Sequence, residues 1–143
     1  MAIIGLVGSL TLPSFVTGLD RLQLNEAAND TANFLQSAAV RAEQRQLAME
    51  VAIDQSQRLL TLDSIPAGVH RELKLAAVIQ IRDVIPNVSN DLQSVHRFLL
   101  LPGAPPPRFG LVLGNARGMR RTVRLDPISG AAIIERPSAE QER

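Results

Sequence analysis

The chain is 143 residues long and 45% apolar, which suits one domain with its own core and argues against a wholly disordered polypeptide. It has no cysteine, which excludes a disulfide framework and a thiolate-ligated metal site; four Phe without Trp or Tyr weaken any case for base stacking and leave no aromatic membrane belt. The net charge of +1 is unevenly spread: between residues 102 and 136, Arg108, Arg117, Arg120, Arg121, Arg124 and Arg136 are set against only Asp126 and Glu135, a local surplus of four positive charges.

From Ala2 to Leu19 no side chain is charged, and the first charges are Asp20 and Arg21. Eighteen such residues stand at the threshold of a membrane span, which takes ~20 residues to cross ~30 Å of hydrocarbon. No basic region precedes the stretch and no small-x-small cleavage site follows it, so an uncleaved anchor is favoured over a signal peptide, with a buried core helix as the alternative. Residues 1–19 are accordingly expected to form the transmembrane part of a helix. Gly5 and Gly8 are small enough to let other helices approach, and Pro13 is expected to kink the helix or melt one turn, because it has no N–H to give the Ser9 carbonyl.

Beyond Asp20 the pattern becomes amphipathic: Leu24, Ala28, Thr31, Leu35, Ala38 and Ala42 recur at steps of three and four, while Arg21, Glu26, Asp30, Arg41 and Glu43 fall largely elsewhere. Residues 20–46 therefore read as a continuation of the same helix. Together, residues 2–45 would make a rod ~65 Å long.

A β-rich domain is expected over residues 47–136. Leu47, Met49, Val51 and Ile53 alternate with polar or small residues, and 47–54 with 58–63 read as a hairpin across DQSQ. Val69, Leu73 and Leu75 fit a further strand after the break IPAG, and AAVIQIRDV within 76–92 suits a strand or a short helix before a loop marked by Pro86, Asn87, Ser89 and Asn90. HRFLLL (96–101), FGLVL (109–113), MRRTVRL (119–125) and AAIIE (131–135) follow as strands. They are separated by the proline-rich PGAPPP, the turn GNARG and the turn DPISG. The segment 137–143 is expected to be a disordered tail. The fold class is α+β, a long N-terminal helix packed on six or seven mostly antiparallel strands.

The order of apolar AIIGLVGSLTLPSF, amphipathic SAAVRAEQRQ, strand LAMEVAID and late FGLVL with RRTVRLDPISGAAIIE resembles the minor pseudopilins of type II secretion systems, the H-type (GspH) group, and their type IV pilus relatives of the FimT and FimU kind. Pro13 matches the helix proline of type IV pilin-like proteins, and Ser129-Gly130 the T/S-G turn of the narrower group. The resemblance implies a structural subunit of a periplasmic pseudopilus, anchored once in the bacterial inner membrane, with the globular part in the periplasm. Its partners would be major and minor pseudopilins met through the helix, inner-membrane lipid, and the secreted substrate or the outer-membrane channel. The residues carried over for helix packing and assembly are Gly5, Gly8, Pro13, Leu24, Ala28 and Leu35. Members of the family begin with a basic leader, a glycine cleavage site and a Phe-Thr-Leu-x-Glu start, none of which this sequence has. Either the start is truncated or misassigned, or the polypeptide is not processed and assembled in the usual way.

No G-x-S-x-G, P-loop or H-E-x-x-H motif is present, and His70 and His96 stand apart from other potential ligands, so no enzyme, metal site or cofactor is expected. Asn87-Val88-Ser89 matches a glycosylation triplet, a pattern common by chance. On a strand, Arg120 and Arg124 point away from the side of Val123 and Leu125 and are joined by Arg117 in the turn. Such a row can meet phosphates, and the FimT-like relatives are associated with DNA binding through a basic C-terminal motif; GMRRTVR is basic but departs from the G-R-x-R pattern. A solvated face or a salt-bridging subunit contact is favoured over DNA for Arg117, Arg120 and Arg124.

Overall fold

The computed structural model describes residues 2–66, 68–85 and 95–136, with side chains from Gly18 onward. One helix, α1 (Ala2–Arg45), leads into eight strands: β1 (Ala48–Asp54), β2 (Leu59–Ile65), β3 (His70–Lys74), β4 (Gln80–Ile85), β5 (Val95–Leu100), β6 (Gly110–Gly114), β7 (Arg120–Leu125) and β8 (Ala132–Glu135). The backbone of α1 is helical without interruption through Pro13, so the melted turn anticipated there does not form. Proline removes one hydrogen bond, and the bonds on either side carry the helix across the gap.

The strands make two antiparallel four-stranded sheets, in the orders β3-β2-β1-β5 and β4-β6-β7-β8. The first grows from the expected β1–β2 hairpin, whose register pairs Val51 with Leu62 and Ile53 with Leu60. Its alternation is strict: Met49, Val51, Ile53, Leu60 and Leu62 are buried, as a sheet covered on one face requires. The ambiguous segment after Ala76 becomes β4, one strand more than the six or seven expected. A bulge between Ile81 and Asp83 spaces the buried residues Ile81 and Val84 by three rather than two. The expected loop at 86–90, the Asn87-Val88-Ser89 triplet and the tail 137–143 lie outside the described residues.

Side-chain contacts also join the sheets away from the helix. Gln55 in the β1–β2 turn donates from Nε2 to the carbonyls of Ile81 and Arg82, at 3.0 and 3.1 Å, at the bulge. Phe98 of β5 stacks on Phe109, next to β6, with ring centroids 4.3 Å apart.

The helix lies chiefly on β7, β8 and β1. Its inner face is the predicted stripe: Leu24, Ala28, Thr31, Leu35, Ala38 and Ala42 are all buried. Alanines on this face keep the sheets close to the helix axis, and the buried Thr31 hydroxyl is satisfied by donating to the Ala27 carbonyl at 2.8 Å. The opposite face carries Leu22, Glu26, Asn29, Asn33 and Val40, all exposed, with Leu22 at 61% and Val40 at 44%. Among the described residues no helix is long and apolar enough to cross a membrane. The stretch expected to do so falls mostly on residues 2–17, whose side chains are not among those described.

Candidate functional site

Polar chemistry gathers where the uncharged stretch of α1 ends. The turn between β6 and β7 reaches this point and is built on Asn115, a residue only 4% exposed. Its Oδ1 accepts the backbone N–H groups of Arg117 and Met119, each at 3.1 Å, and its Nδ2 reaches the Asp20 carbonyl at 3.5 Å. Gly118 closes the turn at φ 82°, a left-handed conformation that other residues adopt only with strain. Arg117 then donates from Nε to the Asp20 carboxylate. Next door, Gly114 has no Cβ, and the Arg82 side chain lies across the space one would fill, its Nη2 donating to the Asn115 carbonyl at 3.1 Å.

One turn further along the helix, Asn25 accepts from Nε of Arg121 at 3.1 Å. Arg121 is 6% exposed and also donates from Nη1 to the Arg120 carbonyl at 2.6 Å. A guanidinium so deeply placed must be hydrogen-bonded, and Asn25 supplies an acceptor from the helix. The strand alternation places Arg121 on the side of Val123 and Leu125, and nothing local in the sequence marks its partner. Asn25 and Arg121 are 96 residues apart, and only a β7 strand lying on the helix brings them together.

The three arginines singled out in the sequence are not equivalent. Arg117 is held by Asp20, and Arg124 by Glu135, with Nε and Nη2 at 2.9 and 2.6 Å from Oε1. The Glu135 carboxylate pushes the Arg124 guanidinium above its ordinary value. Arg120 is exposed and has no carboxylate partner among the described residues. The helix residues carried over for assembly also divide. Leu24, Ala28 and Leu35 lie in the chain's own core, 0–1% exposed, because the sheets already occupy the helix's apolar face. Gly5, Gly8 and Pro13 are outside the residues with described side chains.

His70 bridges Asp63 and Glu72 at the outer strand of the first sheet, its ring nitrogens 2.5 and 3.0 Å from the two carboxylates, and the Asp63 bond foremost pushes its pKa above 6.5. Asp126 is moved the other way, below the usual carboxylate value, mainly because it accepts the Ile128 N–H. It thereby fixes the DPISG turn, whose Gly130 has φ 74°. Among the described residues no three His, Asp or Glu are placed to share a metal ion. A cleft of about 390 Å³ between the end of α1, the proline-rich loop and the β7–β8 turn is lined by Ala42, Glu43, Leu101, Pro105, Ile128 and others. Its one lining carboxylate, Glu43, accepts the Gly103 N–H at 2.9 Å, and the hydroxyl of Ser129, which also lines it, donates to the Asp126 carboxylate at 2.9 Å within the DPISG turn.

The architecture matches a known one. It is similar to the crystal structure of the type IV minor pilin FimU of Pseudomonas aeruginosa PAO1, with a TM-score of 0.57 over 84% of this chain and 92% of that chain, at 12% sequence identity. The fold is pilin-like. No family model matches the chain, and no curated protein does. In this pilin-like frame the Asp20–Arg117 and Asn25–Arg121 contacts tie the β-domain to the helix just below its uncharged stretch.

Proposed function

We propose that the chain is a minor structural subunit of a type IV pilin-like filament, anchored in the bacterial inner membrane by the start of α1, with its β-domain in the periplasm. The observation that carries this reading is a disproportion between the helix and the domain packed on it. The helix is ~65 Å long, whereas the buried positions among its described residues, Leu24–Ala42, cover ~27 Å, and strands of seven residues reach only ~23 Å. The helix therefore outreaches its own domain, and the outreaching part is apolar. Such a segment is stable in lipid or against the helices of other subunits.

Two filament systems fit this reading. The sequence resemblance to H-type pseudopilins favours the type II secretion pseudopilus and export of folded proteins across the outer membrane; the likeness to FimU favours a minor pilin of a type IV pilus. Deleting the gene in its native host separates them. Loss of export of a folded periplasmic cargo supports the first, loss of surface pili with export intact supports the second, and normal export with normal pili overturns both. The DNA-uptake form of the pilus reading has less support, because Arg117 and Arg124 are each held by a carboxylate. It predicts duplex binding by the chain that is lost in Arg120→Glu and Arg124→Glu variants.

A further inference from the structure

The arginines at the helix boundary form a collar around the point where the uncharged stretch ends. Arg21 follows that stretch directly and stands one helical turn before Asn25, on the same side of the helix. Asn25 is bonded to Arg121, whose chain neighbour is the exposed Arg120. Arg82 and Arg117 both reach the Asn115 turn, which touches Asp20. Arg21, Arg82, Arg117 and Arg120 thus come from three elements and a turn to one level of the molecule. The acids near them are few: Asp20 is taken by Arg117, Asp83 accepts the Val84 N–H at 2.9 Å, and Glu26 is on the outer face of the helix. Arg21 and Arg120 have no carboxylate partner among the described residues.

We propose that this collar is a docking surface for the headgroups of acidic phospholipids, holding the β-domain against the membrane surface where α1 emerges. The inference rests on the reading of residues 2–19 as a membrane anchor. Two features argue for lipid as the occupant: the unpaired positive charge complements a layer of phosphates, and the collar is continuous with the apolar stretch that would enter the bilayer. Long arginine stems can lie along the interface while their guanidinium groups meet phosphate, and the attraction acts only within about a Debye length, ~10 Å at moderate salt. Each such cation raises partitioning to an acidic surface about fivefold.

The test is flotation of the full chain with vesicles of phosphatidylcholine alone and of phosphatidylcholine with one quarter phosphatidylglycerol. The wild type should prefer the acidic vesicles, and the preference should fall as salt is added. In the Arg21→Gln/Arg120→Gln double variant the preference should drop by about 25-fold, with binding to neutral vesicles unchanged. Arg45→Gln, ~36 Å along the helix, should leave it intact. An equal preference in wild type and double variant overturns the collar while leaving the anchor standing, as does a loss reproduced by Arg45→Gln. Absence of binding to neutral vesicles overturns the anchor and, with it, the collar that rests on it. Tight binding of a short DNA duplex, lost in the double variant and accompanied by no lipid preference, would assign the arginines to nucleic acid and likewise overturn the proposal.

Discussion

The two faces of α1 beyond Gly18 differ in kind. The inner face is Leu24, Ala28, Thr31, Leu35, Ala38 and Ala42, mostly small, all buried and packed on both sheets. The outer face is Leu22, Glu26, Asn29, Asn33 and Val40, mostly polar, with two exposed aliphatic side chains. On the filament reading proposed above, folding falls to the inner side of this rod and assembly to the outer side, so a substitution should damage either without the other.

The sharpest break of this division comes from truncating the inner face. Leu35→Ala removes a fully buried side chain between helix and sheets and should cost about 2–5 kcal/mol in chemical denaturation. Enlarging the same face is nearly as harmful: Ala28→Leu should cost about 1–3 kcal/mol, because the alanines set the distance between helix and sheet. Asn25→Ala, at the edge of the face, takes one acceptor from the buried Arg121 and should cost about 1–2 kcal/mol. Leu22→Ala on the outer face should shift stability by less than about 0.5 kcal/mol.

On β3, His70 offers a comparison by pH. Its folded-state pKa is raised by Asp63 first and then Glu72, so its contribution is fully present below the ordinary value of 6.5 and is lost as pH rises through the folded value. The thermal midpoint of the wild type should therefore exceed that of His70→Gln most clearly between about pH 5 and 6.5, where both carboxylates are ionised. The gap should close as pH rises further. A gap that widened with pH would show that the neutral imidazole is the stabilising form.

Much of the fold was legible because its periodicities are clean. The three- and four-residue steps from Leu24 to Ala42 gave the inner face, and the alternation Met49, Val51, Ile53 gave β1. β4 stayed ambiguous because its bulge breaks the two-residue period between Ile81 and Val84. The candidate site was only half visible. The arginine surplus could be counted, but which arginine meets which acid depends on β7 and the Asn115 turn being laid against the helix, so Asp20–Arg117 and Asn25–Arg121, 97 and 96 residues apart, left no local signal. For the same reason Leu24, Ala28 and Leu35 read as surfaces for other subunits when the chain's own sheets already cover them.

The most direct test of a helix divided between folding and filament assembly is incorporation into sheared filaments from the native host, compared for Leu35→Ala and a Leu22→Gln/Val40→Gln double variant. The double variant should unfold at the wild-type denaturant concentration yet fail to co-purify with the filament. Wild-type incorporation of the stable double variant would contradict the assignment of assembly to the outer face of α1.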